Sequence, residues 1–205
     1  MRTPMNATAS MTRHLNRYLR RLLRPVYDRR RVYIYRLDVP PSSYLPMETR
    51  CTPEAFLKEA PDHPELKSRL PLLQERLSQG DTPCLFFDQG RLVHMAWWGP
   101  RRFLDPDYEL GTHLPWPLPG EGALIYDCWT PPSCRGRGYY PRALRQLATQ
   151  LLTHYPHVWI YALEDNTASR RGIEKAGFRA VALLERTCKL CYLLCQETTK
   201  TLEDG

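Results

Sequence analysis

The 205-residue sequence predicts an α/β fold, a mixed sheet flanked by helices. Two observations carry this. Short runs rich in β-branched and aromatic residues alternate with segments whose leucines recur every three or four positions. The first half also holds hairpin signals, and the second half holds two strand–helix–strand crossovers of the kind parallel pairing needs.

The elements follow in order. Residues 12–24 gather Leu15, Tyr18, Leu19, Leu22 and Leu23 on one helical face, with Arg13, Arg17, Arg20, Arg21 and Arg24 between them and Pro25 ending the run. Such an amphipathic helix either packs on the domain with a solvated basic face, or presents that face to an anionic membrane surface or an acidic carrier protein. The period then changes: 32–38 (VYIYRLD) is a strand. Residues 53–60 and 64–78 read as helices, the second with Leu66, Leu70, Leu73 and Leu77 on one side. Residues 84–88, the Gln89–Gly90 turn and 91–98 form a hairpin. Five prolines and four glycines mark 99–122 as a long irregular connection. A strand at 123–130 leads through a glycine-containing turn into a helix reaching about 153; a strand at 157–163, a helix at 167–176 and strands at 178–186 and 188–195 close the order. The organisation is therefore a basic arm at 1–31, one domain at 32–196 and a polar tail at 197–205.

Composition sets limits. An apolar fraction of 42% and a charged fraction of 25% suit a soluble chain, and no run approaches the ~20 apolar residues of a membrane-spanning helix. Residues 1–31 carry nine arginines against Asp28 alone, while 32–205 sum to −1. The basic charge thus belongs to one arm, and no nucleic-acid partner is expected of the body. Seven cysteines are an odd count, and residues 1–10 lack the apolar core of a secretory signal. Reduced thiols in the cytoplasm follow, with peripheral membrane attachment through the N-terminal helix as a variant. Cys188 and Cys191 have zinc-like spacing, but no second pair accompanies them and their run is apolar, so no metal is expected.

The chemistry points to 126–141, YDCWTPPSCRGRGYYP. A strand runs into a turn with two glycines, and a helix opens directly behind it. Glycine permits a tight turn and close approach, and the unpaired N–H groups of a helix start favour a phosphate or diphosphate. Arg135 and Arg137 add positive charge beside it. A Walker loop would need a lysine after Gly138, and a dinucleotide fingerprint a third glycine; neither is present.

The segment RGRGYY at 135–140 resembles the acyl-CoA motif of the GNAT (Gcn5-related N-acetyltransferase) superfamily, R/Q-x-x-G-x-G/A, with Tyr140 where a small residue is usual. A second resemblance lies at 165–178, DNTASRRGIEKAGF, similar to the family's N-x-x-S/A-x-x-x-Y-E-K-x-G-F. Together they imply a GNAT-like, mostly antiparallel central sheet of about seven strands, with an extra N-terminal helix. They imply acetyl-CoA or another acyl-CoA as donor, direct transfer to the amine of a small-molecule or peptide acceptor, and no metal. The donor contacts implied are Cys128, Trp129, Thr130, Arg135, Gly136, Arg137, Gly138, Tyr139, Tyr140, Asn166 and Ser169. Backbone groups of Cys128 and Thr130 would pair with the pantetheine arm, and one N–H would polarise the thioester carbonyl.

The departures are as informative. Many family members protonate the leaving thiolate with a tyrosine that aligns here with Ile173, so that role is either absent or taken by Tyr139, Tyr140 or water. Asp127 and His94 are candidate bases for the amine, with Glu109, Glu121 and His113 near the proline-rich connection. Trp97, Trp98, Trp116 and Trp129 could wall an acceptor pocket, although adjacent Trp97 and Trp98 face opposite ways. The functional expectation is an acyl-CoA-dependent N-acyltransferase. Its alternatives are a transferase taking its acyl group from an acidic carrier protein docked on the N-terminal helix, and a CoA-binding module without turnover.

Overall fold

The computed structural model describes residues 27–41, 44–104, 116–189 and 194–202. The first strand, β1 (Tyr27–Leu37), starts five positions earlier than its apolar run suggests. Ion pairs rather than hydrophobic alternation secure that extension: Arg29 and Arg31 bind Glu185, and Arg31 also binds Glu164. A three-residue strand, β2 (Glu48–Arg50), too short to register as a pattern, precedes the helical segment. That segment comprises α1 (Pro53–Glu59), α2 (Pro64–Lys67) and α3 (Leu73–Ser78). The single helix expected over 64–78 is broken at Leu70–Leu72, a tighter turn containing Pro71, which cannot donate a helical hydrogen bond.

Strands β3 (Thr82–Asp88) and β4 (Arg91–Leu104) form the expected hairpin, but β4 runs on, and β5 (Trp116–Trp129) starts early. Phe103 pairs with Pro117 and Leu104 with Trp116, so much of the predicted irregular connection is a second hairpin. Prolines are tolerated there because β3 ends at Thr82, opposite Trp98, leaving the outer part of β4 with β5 as its one described neighbour. The remaining elements are α4 (Tyr139–Leu151), β6 (Val158–Leu163), α5 (Thr167–Lys175), β7 (Arg179–Lys189) and β8 (Leu194–Thr201). Much of the predicted polar tail is thus strand, paired along β7 from Lys189 to Ala182. The amphipathic helix expected at 12–24 lies outside the described residues, as do Glu109 and His113.

The described strands form one eight-stranded sheet in the order β2-β3-β4-β5-β6-β1-β7-β8. Every pairing is antiparallel except that between β5 and β6. The mixed, mostly antiparallel sheet flanked by helices that the sequence predicts is therefore present, with eight described strands rather than about seven. Alternation along β3 assigns its faces: Cys84 and Phe86 pack with Ala143, Leu144 and Leu147 of α4, whereas Leu85 and Phe87 pack with Phe56, Leu66 and Leu73 of α1–α3. Helices α4 and α5 thus share one face, and the α1–α3 segment covers the other.

The expectation of reduced thiols is corrected for four cysteines. Cys51 is disulfide-bonded to Cys84 and Cys188 to Cys195, while Cys128 and Cys134 are free thiols. Strand pairing explains this, because β2 lies beside β3 and β7 beside β8, bringing the Cα atoms to 4.0 and 4.1 Å. Cys188 therefore has a partner other than Cys191, which lies outside the described residues. No group of metal-ligating side chains occurs among the described residues. No described helix is long and apolar enough to cross a membrane.

Candidate active site

Strand β5 lies between β4 and β6, and it treats the two differently. With β4 it pairs up to Trp129; with β6 it pairs only at Ala123–Val158 and Leu124–Trp159. Beyond Leu124 the two parallel strands diverge, and a wedge opens between them. A bulge accompanies the divergence: Met95 pairs with Trp129 and Trp97 with Tyr126, so Asp127 and Cys128 oppose Ala96 alone. Asp127 takes a φ of +45° there, which swings its side chain out of the regular alternation.

The wedge leads into the turn. Pro132–Cys134 make one tight helical turn, Arg91 donates to Ser133 Oγ (2.6 Å), and Arg135 Nε donates to the Thr130 carbonyl (3.1 Å). Gly136 and Gly138 have φ values of +76° and +79°, and a side chain at either would stand in open space. Backbone conformation, not crowding, therefore selects glycine at both positions. The backbone N–H groups of Gly136, Arg137, Gly138, Tyr139 and Tyr140 donate to no described residue. A run of free amides at the start of α4 is a seat for an anion.

Around this turn opens a cleft of about 440 Å³. Of the donor contacts expected from the sequence, Cys128, Trp129, Thr130, Arg135, Gly136, Gly138, Tyr139, Tyr140, Asn166 and Ser169 line it; the Arg137 side chain does not. Sequence reasoning missed Ala168, Arg171, Gly172 and Lys175, also on its wall. Their spacing of three, four and seven along α5 was the available signal. Asn166 caps α5 by accepting from the Ser169 N–H (3.1 Å), which fixes the helix start against the cleft. Arg135, Arg171 and Lys175 are the charged lining residues among those described, and no described carboxylate joins them.

Tyr140 bridges the cleft floor. Its ring lies against Gly172, and its hydroxyl shares a 3.1 Å hydrogen bond with Ser169 Oγ beside the Cys128 thiol. Burial, reinforced by that thiol, holds the phenol protonated well above its ordinary range. Burial likewise raises the Cys128 thiol, with the Asp127 carboxylate adding to the effect, so Cys128 is a poor nucleophile. Tyr139 instead turns away to donate to Asp88 (2.6 Å). Ile173, where the family's tyrosine falls, is fully buried in the core beneath α4 and α5.

The two candidate bases do not occupy that role geometrically. The Asp127 carboxylate is clamped by Arg69 (2.9 Å) and Arg76 (2.8 Å), which belong to the segment on the other face of the sheet, and it does not line the cleft. His94 does line the cleft, but burial lowers its imidazole to about 3, so its protonated form is strongly disfavoured. Glu121 is exposed and pairs with Arg102. The tryptophans divide as well: Trp97 is buried against Phe56, Trp98 packs on Tyr155, and Trp129, a lining residue, sets its ring against His63; the Trp116 side chain lies outside the described residues.

Residues 89–179 match the family model of the acetyltransferase (GNAT) domain. Over that segment the chain is similar to a GNAT acetyltransferase domain. The matched segment contains the wedge, the glycine turn and both helices that wall the cleft. No curated protein matches the chain in sequence. Among solved structures, a GNAT-family putative acetyltransferase from Novosphingobium aromaticivorans shares 18% identity at a TM-score of 0.53, covering 78% of this chain and 63% of that one. A GNAT-family acetyltransferase from Colwellia psychrerythraea shares 14% at a TM-score of 0.50, covering 83% of this chain and 59% of that one. Both likenesses concern the GNAT fold, and the present chain spans less than two thirds of either protein.

Proposed function

We propose that the protein is an N-acyltransferase that moves an acyl group, acetyl in the simplest case, from acyl-CoA to an amine without a covalent enzyme intermediate. One observation carries the reading: β5 parts from β6, and the turn after it leads to five consecutive amides, 136–140, that donate to no described residue. A bound acyl-CoA supplies the activated acyl group as its thioester. The amides of 136–140 bind its diphosphate, with Arg135, Arg171 and Lys175 contributing charge. The open edge of β5 holds the amide-bearing arm, and one of its N–H groups polarises the thioester carbonyl, a contribution of several kcal/mol in comparable sites. Positioning of amine and thioester in the wedge supplies the rest.

Tyr140 is the proton donor in this scheme. As the new C–N bond forms and the C–S bond breaks, its hydroxyl passes a proton to the departing sulfur and is recharged through Ser169. No described carboxylate lines the cleft, and in this scheme the amine's proton passes to water. The burial of Ile173 is the observation that favours a second reading, a module that binds CoA without turnover. Incubating the full chain with labelled acetyl-CoA and a panel of small amines and peptides separates the two. Labelled amide and equimolar free thiol support transfer, whereas CoA binding with no product from any acceptor leaves the module. The disulfides bear on location, because such bonds persist in oxidising compartments. A cytoplasmic setting requires them to be reduced there, which thiol labelling in fresh extract tests.

A further inference from the structure

We propose that His94 is a binding residue for the neutral, amide-bearing arm of the donor, its Nε2 making the hydrogen bond that no described residue supplies. This rests on the acyl-CoA reading above and assigns one of its contacts to a side chain outside both family motifs.

The His94 side chain is almost wholly buried, at 1% exposure, yet it borders the cleft. Its Nδ1 shares a 2.8 Å hydrogen bond with Thr130 Oγ1. Its Nε2 has no hydrogen-bond partner among the described residues. A buried polar atom without a partner is costly, and an imidazole serving the core alone would be expected to satisfy both nitrogens. The ring is also held in place, wedged between Phe86 (5.8 Å) and Tyr140 (5.3 Å between centroids). A fixed ring that borders a cleft and carries one unmet nitrogen is preorganised for a ligand.

The chemistry of that ligand follows from charge. Arg135, Arg171 and Lys175, on the turn and on α5, are the cleft's cations and suit the anionic end of the donor. The lining residues in contact with His94, Thr130 and Tyr140, are uncharged. Burial keeps the imidazole neutral, so it gains little from a phosphate. A secondary amide fits better. The tautomer set by Thr130 leaves Nε2 either a donor or an acceptor, and an amide offers a carbonyl to the first and an N–H to the second.

The test compares two probes by isothermal titration calorimetry on the full chain. CoA carries the arm, and adenosine 3′,5′-bisphosphate lacks it. His94→Leu is expected to weaken CoA about tenfold, the worth of one ordinary hydrogen bond, and to leave the bisphosphate within about twofold. An equal loss for both probes, or no loss for either, overturns the assignment of His94 while leaving the donor reading intact. Failure of the unaltered chain to bind CoA overturns both. Should His94→Leu not fold, ¹⁵N-histidine spectra of the unaltered protein decide. A ring nitrogen of His94 that shifts on adding CoA but not the bisphosphate supports the inference, and resonances unmoved by CoA contradict it.

Discussion

A Cβ built on Gly172 would come within 2.4 Å of Tyr140 Cδ1, so the ring of one residue occupies the side-chain space of the other. The family motif has a small residue at 140, and this chain has instead placed the small residue on the facing helix. The exchange brings a phenol hydroxyl to Ser169, on the same helix that carries Ile173 in the family's tyrosine position.

This pairing predicts a change of sign. Gly172→Ala alone should destabilise by about 1–3 kcal/mol through overpacking, despite the better helix propensity of alanine. In a Tyr140→Ala background the same change should stabilise by about 1 kcal/mol, because the obstructing ring is gone. Urea denaturation of the four proteins measures both values. Stabilisation in both backgrounds would show that the two residues do not share space.

Tyr140→Phe keeps the ring and removes the proton. Stability and CoA affinity should hold, while the rate of thiol release in the presence of an acceptor falls by about 10²-fold or more. An unchanged rate would assign the proton to water. Stopped-flow thiol detection gives the rate, and calorimetry gives the affinity.

Acid should weaken the fold through His94. Burial lowers its folded value to about 3, below the ordinary value of 6.5 that the unfolded chain retains. The unfolded state therefore binds the proton first. The contribution to stability is complete above about pH 6.5 and is lost as pH falls toward 3, at about 1 kcal/mol per pH unit. His94→Leu should flatten this part of a stability-against-pH curve recorded between pH 7 and 4. A curve of the same slope in the variant would place the acid sensitivity elsewhere.

Reductant should also destabilise. The Cys51–Cys84 bond spans a sequence separation of 33 and ties β2 to β3, and its loss is expected to cost about 2–4 kcal/mol. The Cys188–Cys195 bond spans only 7 and should matter less. Alkylation without reductant should leave Cys51, Cys84, Cys188 and Cys195 unlabelled by mass spectrometry. Labelling at Cys51 and Cys84 would contradict the pairing.

The parts of the molecule legible in the sequence are those whose cause is local. Gly136 and Gly138 announce positive φ at a strand-to-helix turn, Asn166 announces a cap, and the leucines of α4 announce their buried face. What the sequence hid depends on neighbours distant in the chain. The outer parts of β4 and β5 look irregular because of their prolines, which sit where no further described strand flanks that end of β4. Asp127 looks like a free carboxylate until Arg69 and Arg76 arrive from the opposite face. His94 reads as a base by its ordinary titration range, and burial reverses that. The disulfides needed strand register, which cysteine spacing does not contain.

Hydrogen–deuterium exchange of the full chain with and without CoA probes the central claim at the level of individual backbone amides. The account predicts that CoA slows exchange over 125–130, along the open edge of β5, and over 136–140, where the amides now donate to no described residue. Protection confined to other parts of the chain, with both segments exchanging at their unliganded rates, would contradict it.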